Sequence, residues 1–238
     1  MNAVPSVNGV PARLVLWDID LTLVDLRGLG GRWYTEALAT VAGVELTAMP
    51  SFPGRTERAI TTELLATHGI EPTEELIQRV WRELIELSAG MAPTLAGYGR
   101  ALPGAAQALA ALAEREGVVQ TLVTGNLPEI ARHKLAAFAL DTHLDFGIGG
   151  YGTVSAHRPD LVAHAMKLAA AKLGEAVPPE AVVVVGDTPH DVTAALDHGA
   201  VAVGVATGRH TARQLVDSGA HLVFDDLSDT EALLAALL

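Results

Sequence analysis

The sequence predicts an α/β fold, a doubly wound parallel sheet with an all-helical segment inserted after its first strand. Three observations carry this. Four short apolar runs, at residues 13–17, 118–123, 182–185 and 201–205, are nearly continuous rather than alternating, and the last three are rich in Val. Strands buried on both faces read this way. Helical patterns separate the later runs, as βαβ crossovers require. Residues 26–96 break that rhythm and contain helical stretches without a convincing strand.

Taken in order, the first ten residues, MNAVPSVNGV, carry neither a basic start nor an apolar stretch. They read as a disordered leader rather than a signal peptide. RLVLW at 13–17 is a buried strand that ends in Asp18. Helices are expected at 32–41, 57–68 and 73–88. The last opens on Thr73 as N-cap with Glu74 and Glu75 in its first turn, and Leu76 takes the place of a capping-box acid. Gly28, Gly30 and Gly31 on one side, and Gly97 and Gly99 on the other, read as flexible crossings. This divides the chain into a core of residues 1–25 and 97–238 and a smaller helical domain of residues 26–96. Pro103 and Gly104 introduce the helical run AAQALAALAERE, with Pro near the start, where its missing N–H does least harm. Further crossover helices are expected at 128–138, 160–173 and 191–198.

The length of 238 residues suits such a core plus a smaller domain, and a hydrophobic share of 50% supports a sizeable interior. With 4% aromatic residues, that interior must be built from Ala, Val and Leu. The lack of Cys excludes disulfides, thiolate metal sites and Cys nucleophiles. A net charge of −12 argues against a general nucleic-acid surface, while leaving room for a local site that takes a small anion. No stretch is long and apolar enough to span a membrane. The expectation is a soluble, cytoplasmic protein.

The candidate chemistry sits at strand ends. In open α/β sheets, ligands bind beyond the carboxyl ends of the strands. The first strand ends in Asp18-Ile19-Asp20-Leu21-Thr22, the second runs into Thr124-Gly125-Asn126, and the third into Gly186-Asp187-Thr188-Pro189-His190-Asp191. A lone Asp-x-Asp is often only a pair of surface acids. Its recurrence with hydroxyl, amide and carboxylate groups on the same edge makes a site.

These three motifs, in this order, resemble the haloacid dehalogenase superfamily, in its phosphatase branch with a helical cap and a Rossmann-like core. The resemblance covers nearly the whole chain. It implies that Asp18 is a nucleophile that forms an aspartyl-phosphate and that Asp20 is the general acid and then base. It implies Mg²⁺ held by Asp18, the backbone carbonyl of Asp20, and Asp187, with Asp191 holding a metal-bound water or supporting Asp187. It further implies that Thr124 and the backbone N–H of Gly125 or Asn126 bind phosphate at a helix start. The family's third motif is usually a Lys. Here Arg158, before Pro159, stands in its place, against the plain reading of a surface Arg. Lys134 is the rival cation, but its position inside the helix after Asn126 favours a side chain facing solvent. Phe52-Pro53-Gly54-Arg55-Thr56 resembles the substrate-facing loop of phosphoglycolate-phosphatase-like members, so Arg55 would meet a second anionic group of the substrate. Trp33 and Tyr34 either line the cleft or pack the cap core. His157, His190 and His198 show no metal-ligand spacing, and Thr188 and His190 are expected near the metal without binding it.

The implied function is Mg²⁺-dependent hydrolysis of a small-molecule phosphate monoester, such as phosphoglycolate, a sugar phosphate or a nucleotide, by a monomer or homodimer. A dehalogenase would not need Asp20. A phosphonoacetaldehyde hydrolase would need a cap Lys, and the chain has none before Lys134. Two alternatives stay open, a β-phosphoglucomutase-like phosphotransferase and a non-catalytic phosphometabolite-binding protein.

Overall fold

The computed structural model describes residues 13–238, so the leader expected at residues 1–10 lies outside the described residues. Six parallel strands form the main sheet: β1 (Arg13–Trp17), β4 (Val118–Thr124), β5 (Gly150–Tyr151), β6 (Val182–Gly186), β7 (Val201–Val205) and β8 (Leu222–Phe224). Their order is β5-β4-β1-β6-β7-β8. The chain moves outward from β1 in one direction through β4 and β5, then returns to β1's other side for β6, β7 and β8. The reversal places a topological switch point at the end of β1, between β4 and β6.

Alternate residues of β1 serve opposite faces, as the two-residue period of a strand requires. Val15 and Trp17 enter one core with α4 (Ala105–Ala113) and α9 (Thr230–Leu237). Leu14 and Leu16 enter another with α6 (Pro159–Leu173), α7 (Pro189–Leu196) and Leu215 of α8 (Ala212–Asp217). The buried polar pair in the first core is satisfied: Trp17 Nε1 donates to Gln120 Oε1 at 3.1 Å, and Gln120 Nε2 donates to the Leu109 carbonyl at 2.9 Å.

The helical segment consists of α1 (Leu29–Ala42), α2 (Glu57–Thr67) and α3 (Glu74–Met91), followed by a 3₁₀ turn at Ala92–Tyr98. The N-cap hydroxyls of Thr56 and Thr73 accept from the N–H groups of Ala59 and Leu76, so each helix start satisfies an orphan donor. Trp33, Leu38, Leu64, Val80, Trp81 and Leu84 form a third core, which also takes in Leu127 and Ile130 at the start of α5 (Pro128–Ala136). The crossings differ from expectation. Gly30 and Gly31 are helical, because α1 begins at Leu29, and Gly97 sits in the 3₁₀ turn. The chain crosses instead on a short antiparallel ribbon of β2 (Val24–Asp25) and β3 (Arg100–Ala101). Gly99 makes that ribbon possible, since a Cβ there would lie 2.1 Å from the Asp25 carbonyl oxygen.

Candidate active site

The carboxyl ends of β1, β4 and β6 converge. Asp18 follows β1, with its N–H donated to the Val185 carbonyl at 2.9 Å, so the backbone of β6 fixes where it starts. The chain then turns sharply: the N–H groups of Leu23 and Val24 both donate to the Ile19 carbonyl. Leu21 takes a φ of 63° in that turn. A non-glycine residue there stores strain on the order of 1–3 kcal/mol, and such strain is concentrated at functional sites. The hydroxyl of Thr207, in the loop after β7, holds the Leu21 carbonyl at 2.5 Å.

Asp18, Asp187 and Asp191 are all buried and offer oxygens within 4.8 Å of one another. Asp191 is fully engaged. Its Oδ2 accepts from the N–H and hydroxyl of Thr188 at 3.1 and 2.6 Å, closing a capping box on α7. Its Oδ1 accepts from Nε and Nη2 of Arg158 at 2.9 and 2.5 Å. Gly186 leaves room for this carboxylate, since a Cβ there would lie 2.2 Å from Asp191 Cγ. Arg158 is 5% exposed and also donates through Nη2 to Asp18 Oδ1 at 2.9 Å. It is therefore no surface Arg: its guanidinium bridges the first and third strand-end motifs. Burial works against its charge, but Asp191 and Asp18 more than offset this and raise its pKa.

Asp187 is different. It is 1% exposed, and its Oδ2 has no hydrogen-bond partner among the described residues. Gly208 is required beside it, because a Cβ there would lie 1.7 Å from that oxygen. Burial, reinforced by Asp18 and Asp191, pushes the Asp187 carboxyl up to about 9. Burial likewise pushes Asp18 up to about 7, against the pull of Arg158.

Across the mouth of the sheet lies a second network. Lys134 is 6% exposed, and its Nζ donates to both Asp20 oxygens at 2.7 and 2.6 Å and to Asn126 Oδ1 at 2.7 Å. This corrects the expectation that it faces solvent. On α5, Ile130, Ala131, Lys134 and Leu135 share the buried face, and the ammonium reaches the cleft from there. Asn126 Nδ2 donates to Asp20 Oδ2 at 2.7 Å and to Thr124 Oγ1 at 2.8 Å. The side chains of Thr124 and Asn126 are thus tied to each other and to Asp20. Gly125 meets the helical segment: a Cβ would lie 2.0 Å from the Arg55 carbonyl oxygen, and its own carbonyl accepts from the Glu57 N–H at 2.9 Å.

A cavity of about 620 Å³ joins these groups to the helical segment, lined among others by Asp18, Asp20, Arg55, Glu57, Trp33 and Tyr34. Trp33 and Tyr34 satisfy both readings given to them, since they also belong to the third core. Arg55 pairs with Glu63 at 2.5 Å. His157 is exposed, and His198 Nε2 donates to the Pro159 carbonyl at 2.8 Å.

The haloacid dehalogenase-like hydrolase family matches residues 15–196, well over half of the chain. The protein belongs to this family. The probable phosphatase IndB of Dickeya dadantii is 30% identical over 146 residues, 59% of this chain and 58% of that protein. The chain therefore spans less than two thirds of this curated relative. Among solved structures, a hydrolase from Pseudomonas syringae superposes with a TM-score of 0.67 at 23% identity, covering 94% of this chain and 98% of its own. A predicted phosphoglycolate phosphatase from Haemophilus somnus gives 0.65 at 20%, covering 96% and 100%. At such identities the likeness establishes the shared fold.

In this haloacid dehalogenase-like hydrolase, the donor set suits a hard divalent cation such as Mg²⁺. It consists of buried carboxylate oxygens, one of them without a protein partner, and no nitrogen or sulfur ligand. Two contributors were missed in the sequence, Glu57 and the Thr207-Gly208 loop, while Lys134 was weighed only as a rival to Arg158 and expected to face solvent. The loop follows β7 on the same sheet edge, so the strand-end argument extended to residues 201–205 would have found it. No helix among the described residues is long and apolar enough to cross a membrane.

Proposed function

We propose that this hydrolase is a Mg²⁺-dependent phosphatase of small phosphate monoesters that works through an aspartyl-phosphate on Asp18. The observation that carries the reading is the pairing of Asp18, oriented by Arg158, with Asp187, whose buried Oδ2 has no partner among the described residues. Asp18 and Asp187, with the Asp20 carbonyl, would hold the metal. When bound, it would offset carboxylate charge and make the phosphorus more electrophilic.

In the first step an Asp18 oxygen attacks phosphorus, the ester P–O bond breaks, and the leaving oxygen takes a proton from the Asp20 carboxyl. In the second, Asp20 accepts a proton from water while that water's oxygen attacks phosphorus. The acyl-phosphate P–O bond breaks, and Asp18 and inorganic phosphate are released. Arg158 holds one Asp18 oxygen, so the attacking carboxylate is pre-oriented rather than free to rotate. Lys134 and Asn126 hold Asp20 beside it. Thr124 and the Gly125-Asn126 backbone are our candidates to receive phosphate oxygens, and Arg55 to meet the remainder of the substrate. The core of the helical segment, which docks on Leu127 and Ile130, and the cavity beneath it support our reading of residues 26–96 as a cap that excludes water and selects substrate.

The test is release of inorganic phosphate from p-nitrophenyl phosphate. The parent should require Mg²⁺ and lose turnover in EDTA. Asp18→Asn should lose about 10²-fold or more. Near-parental turnover by Asp18→Asn, or full activity in excess EDTA, would overturn the mechanism.

A further inference from the structure

Glu57 is the first residue of α2 and lines the cavity together with Asp20 and Lys134. A chain of hydrogen bonds leads to it through all three helices of the insertion. Trp81 Nε1 of α3 donates to Thr61 Oγ1 at 2.9 Å. Thr61 Oγ1 lies 2.8 Å from the Tyr34 hydroxyl of α1, and Tyr34 donates to Glu57 Oε2. The direction is fixed by counting protons. Tyr34 has one, and it goes to the carboxylate, so Thr61 donates to Tyr34 and receives from Trp81. Burial and the neighbouring Glu57 carboxylate raise the Tyr34 pKa well above its usual value, so this donor keeps its proton.

The chain fixes one oxygen of Glu57 and leaves the other, Oε1, with no partner among the described residues. The nearest cation cannot supply one, because every hydrogen bond of Lys134 goes to Asp20 or Asn126. A carboxylate at a helix start is ordinarily explained by the helix dipole. That role is met equally well in water and needs no Tyr34, Thr61 or Trp81 behind it. Glu57 is only partly buried, so Oε1 is left open to the cavity that Glu57 lines, and a donor brought by a ligand would complete its acceptors.

We infer that Glu57 reads the leaving group of the substrate, with Oε1 accepting a hydrogen bond from a hydroxyl or ammonium. This rests on the phosphatase reading and narrows it. The substrate class is a phosphate ester of a polyol or amino alcohol, with its less polar body against Trp33, Phe52, Leu84 and Ile130, which line the same cavity. About 620 Å³ is room for a sugar- or nucleoside-sized group as well as phosphate. Phosphorylated carboxylic acids are disfavoured beside Glu57, because their second anion would face its carboxylate, while the charge of Arg55, which lines the same cavity, is already paired with Glu63.

The experiment measures kcat/KM at pH 8, above the value of about 7 to which burial raises Glu57, for parent, Glu57→Gln and Tyr34→Phe on p-nitrophenyl phosphate, 2-phosphoglycolate, glucose 6-phosphate, a nucleoside 5′-monophosphate and phosphoethanolamine. The parent should favour the hydroxylated or amino esters over 2-phosphoglycolate. Glu57→Gln should lower that preference about 10- to 100-fold, as expected when a charged acceptor is removed. Tyr34→Phe should move it in the same direction by less, and it stands in if Glu57→Gln does not fold. A collapse confined to phosphoethanolamine identifies an ammonium donor, and one confined to the sugar and nucleoside esters a hydroxyl. A parent that prefers 2-phosphoglycolate, or variants that keep all substrate ratios, would overturn the inference and leave the phosphatase reading intact. A parent inactive on every ester with Mg²⁺ would overturn both.

Discussion

Replacing Arg158 with Met removes the cation that links two buried carboxylates while keeping most of the side chain's volume. In the parent, the guanidinium makes contacts of 2.9 and 2.5 Å to Asp191 and one of 2.9 Å to Asp18, and it is 5% exposed. A planar fork suits this task, because two carboxylates from different strand ends are held at once. Without it, Asp18, Asp187 and Asp191 share one buried pocket with no positive side chain between them. Breaking a buried ion pair from one side costs about 3–5 kcal/mol. For a chain of this size each kcal/mol moves the melting temperature by about 2–4 °C, so Arg158→Met should melt roughly 6–20 °C lower in EDTA. Saturating Mg²⁺ should recover part of the loss, because a ligand of the folded state adds stability by mass action. Turnover should fall about 10²-fold, the scale for losing one preorganised electrostatic group. Arg158→Lys should fall between the two, since an ammonium keeps the charge without spanning both acids. Thermal melts with and without Mg²⁺, and single-turnover phosphate release, read these quantities. Arg158→Met within 2 °C and twofold of the parent would refute the assignment.

Lys134→Met should lower kcat about 10²-fold with little change in KM, because Lys134 holds Asp20 rather than the open cleft; a raised KM at unchanged kcat would instead make it a substrate-phosphate ligand. For pH, burial pushes Glu57 from 4.5 to about 7, against the opposing pull of its Tyr34 hydrogen bond and Lys134 and with a further push from Asp20. The folded state keeps the proton that the unfolded state gives up above 4.5, so this contribution to stability is complete below pH 4.5 and is lost as pH rises through 7. Allowing for solvent access through the cavity, the loss is on the order of 2 kcal/mol. The melting temperature of Glu57→Gln relative to the parent should therefore climb by about 4–8 °C between pH 4.5 and pH 8; parallel profiles would contradict this.

The central strands were legible because burial on both faces demands unbroken apolar runs, and 13–17, 118–123, 182–185 and 201–205 supply them. β5 and β8, of two and three residues, are too short to impose a pattern. The ribbon of β2 and β3 is two residues per strand and depends on pairing across 75 positions of chain. Within the site, the strand-end rule found the residues that the sheet itself positions. It could not find those delivered by helices. Lys134 was weighed by its place in the chain, although Ile130 one turn earlier marks its face as buried, and its partner Asp20 lies 114 residues away. Glu57 was passed over for Arg55 because an anionic substrate directs attention to cations. Its meaning depends on Tyr34, Thr61 and Trp81, which only helix packing brings together.

The distribution of cations decides what each carboxylate can do. Arg158 serves Asp18 and Asp191, and Lys134 serves Asp20. Asp191 has both oxygens occupied by Arg158 and Thr188, which suits it to hold Arg158 in place and leaves it little capacity for a metal. Among the described residues Asp187 has neither an ion-pair partner nor a hydrogen bond on Oδ2, and it stands where β6 ends beside Asp18. An incoming phosphate dianion would add negative charge beside this acid. A divalent cation at Asp187 meets both needs at once, for the buried carboxylate and for the phosphate. For that reason we propose that Asp18 and Asp187 would hold the metal, and that Asp191 holds the arginine.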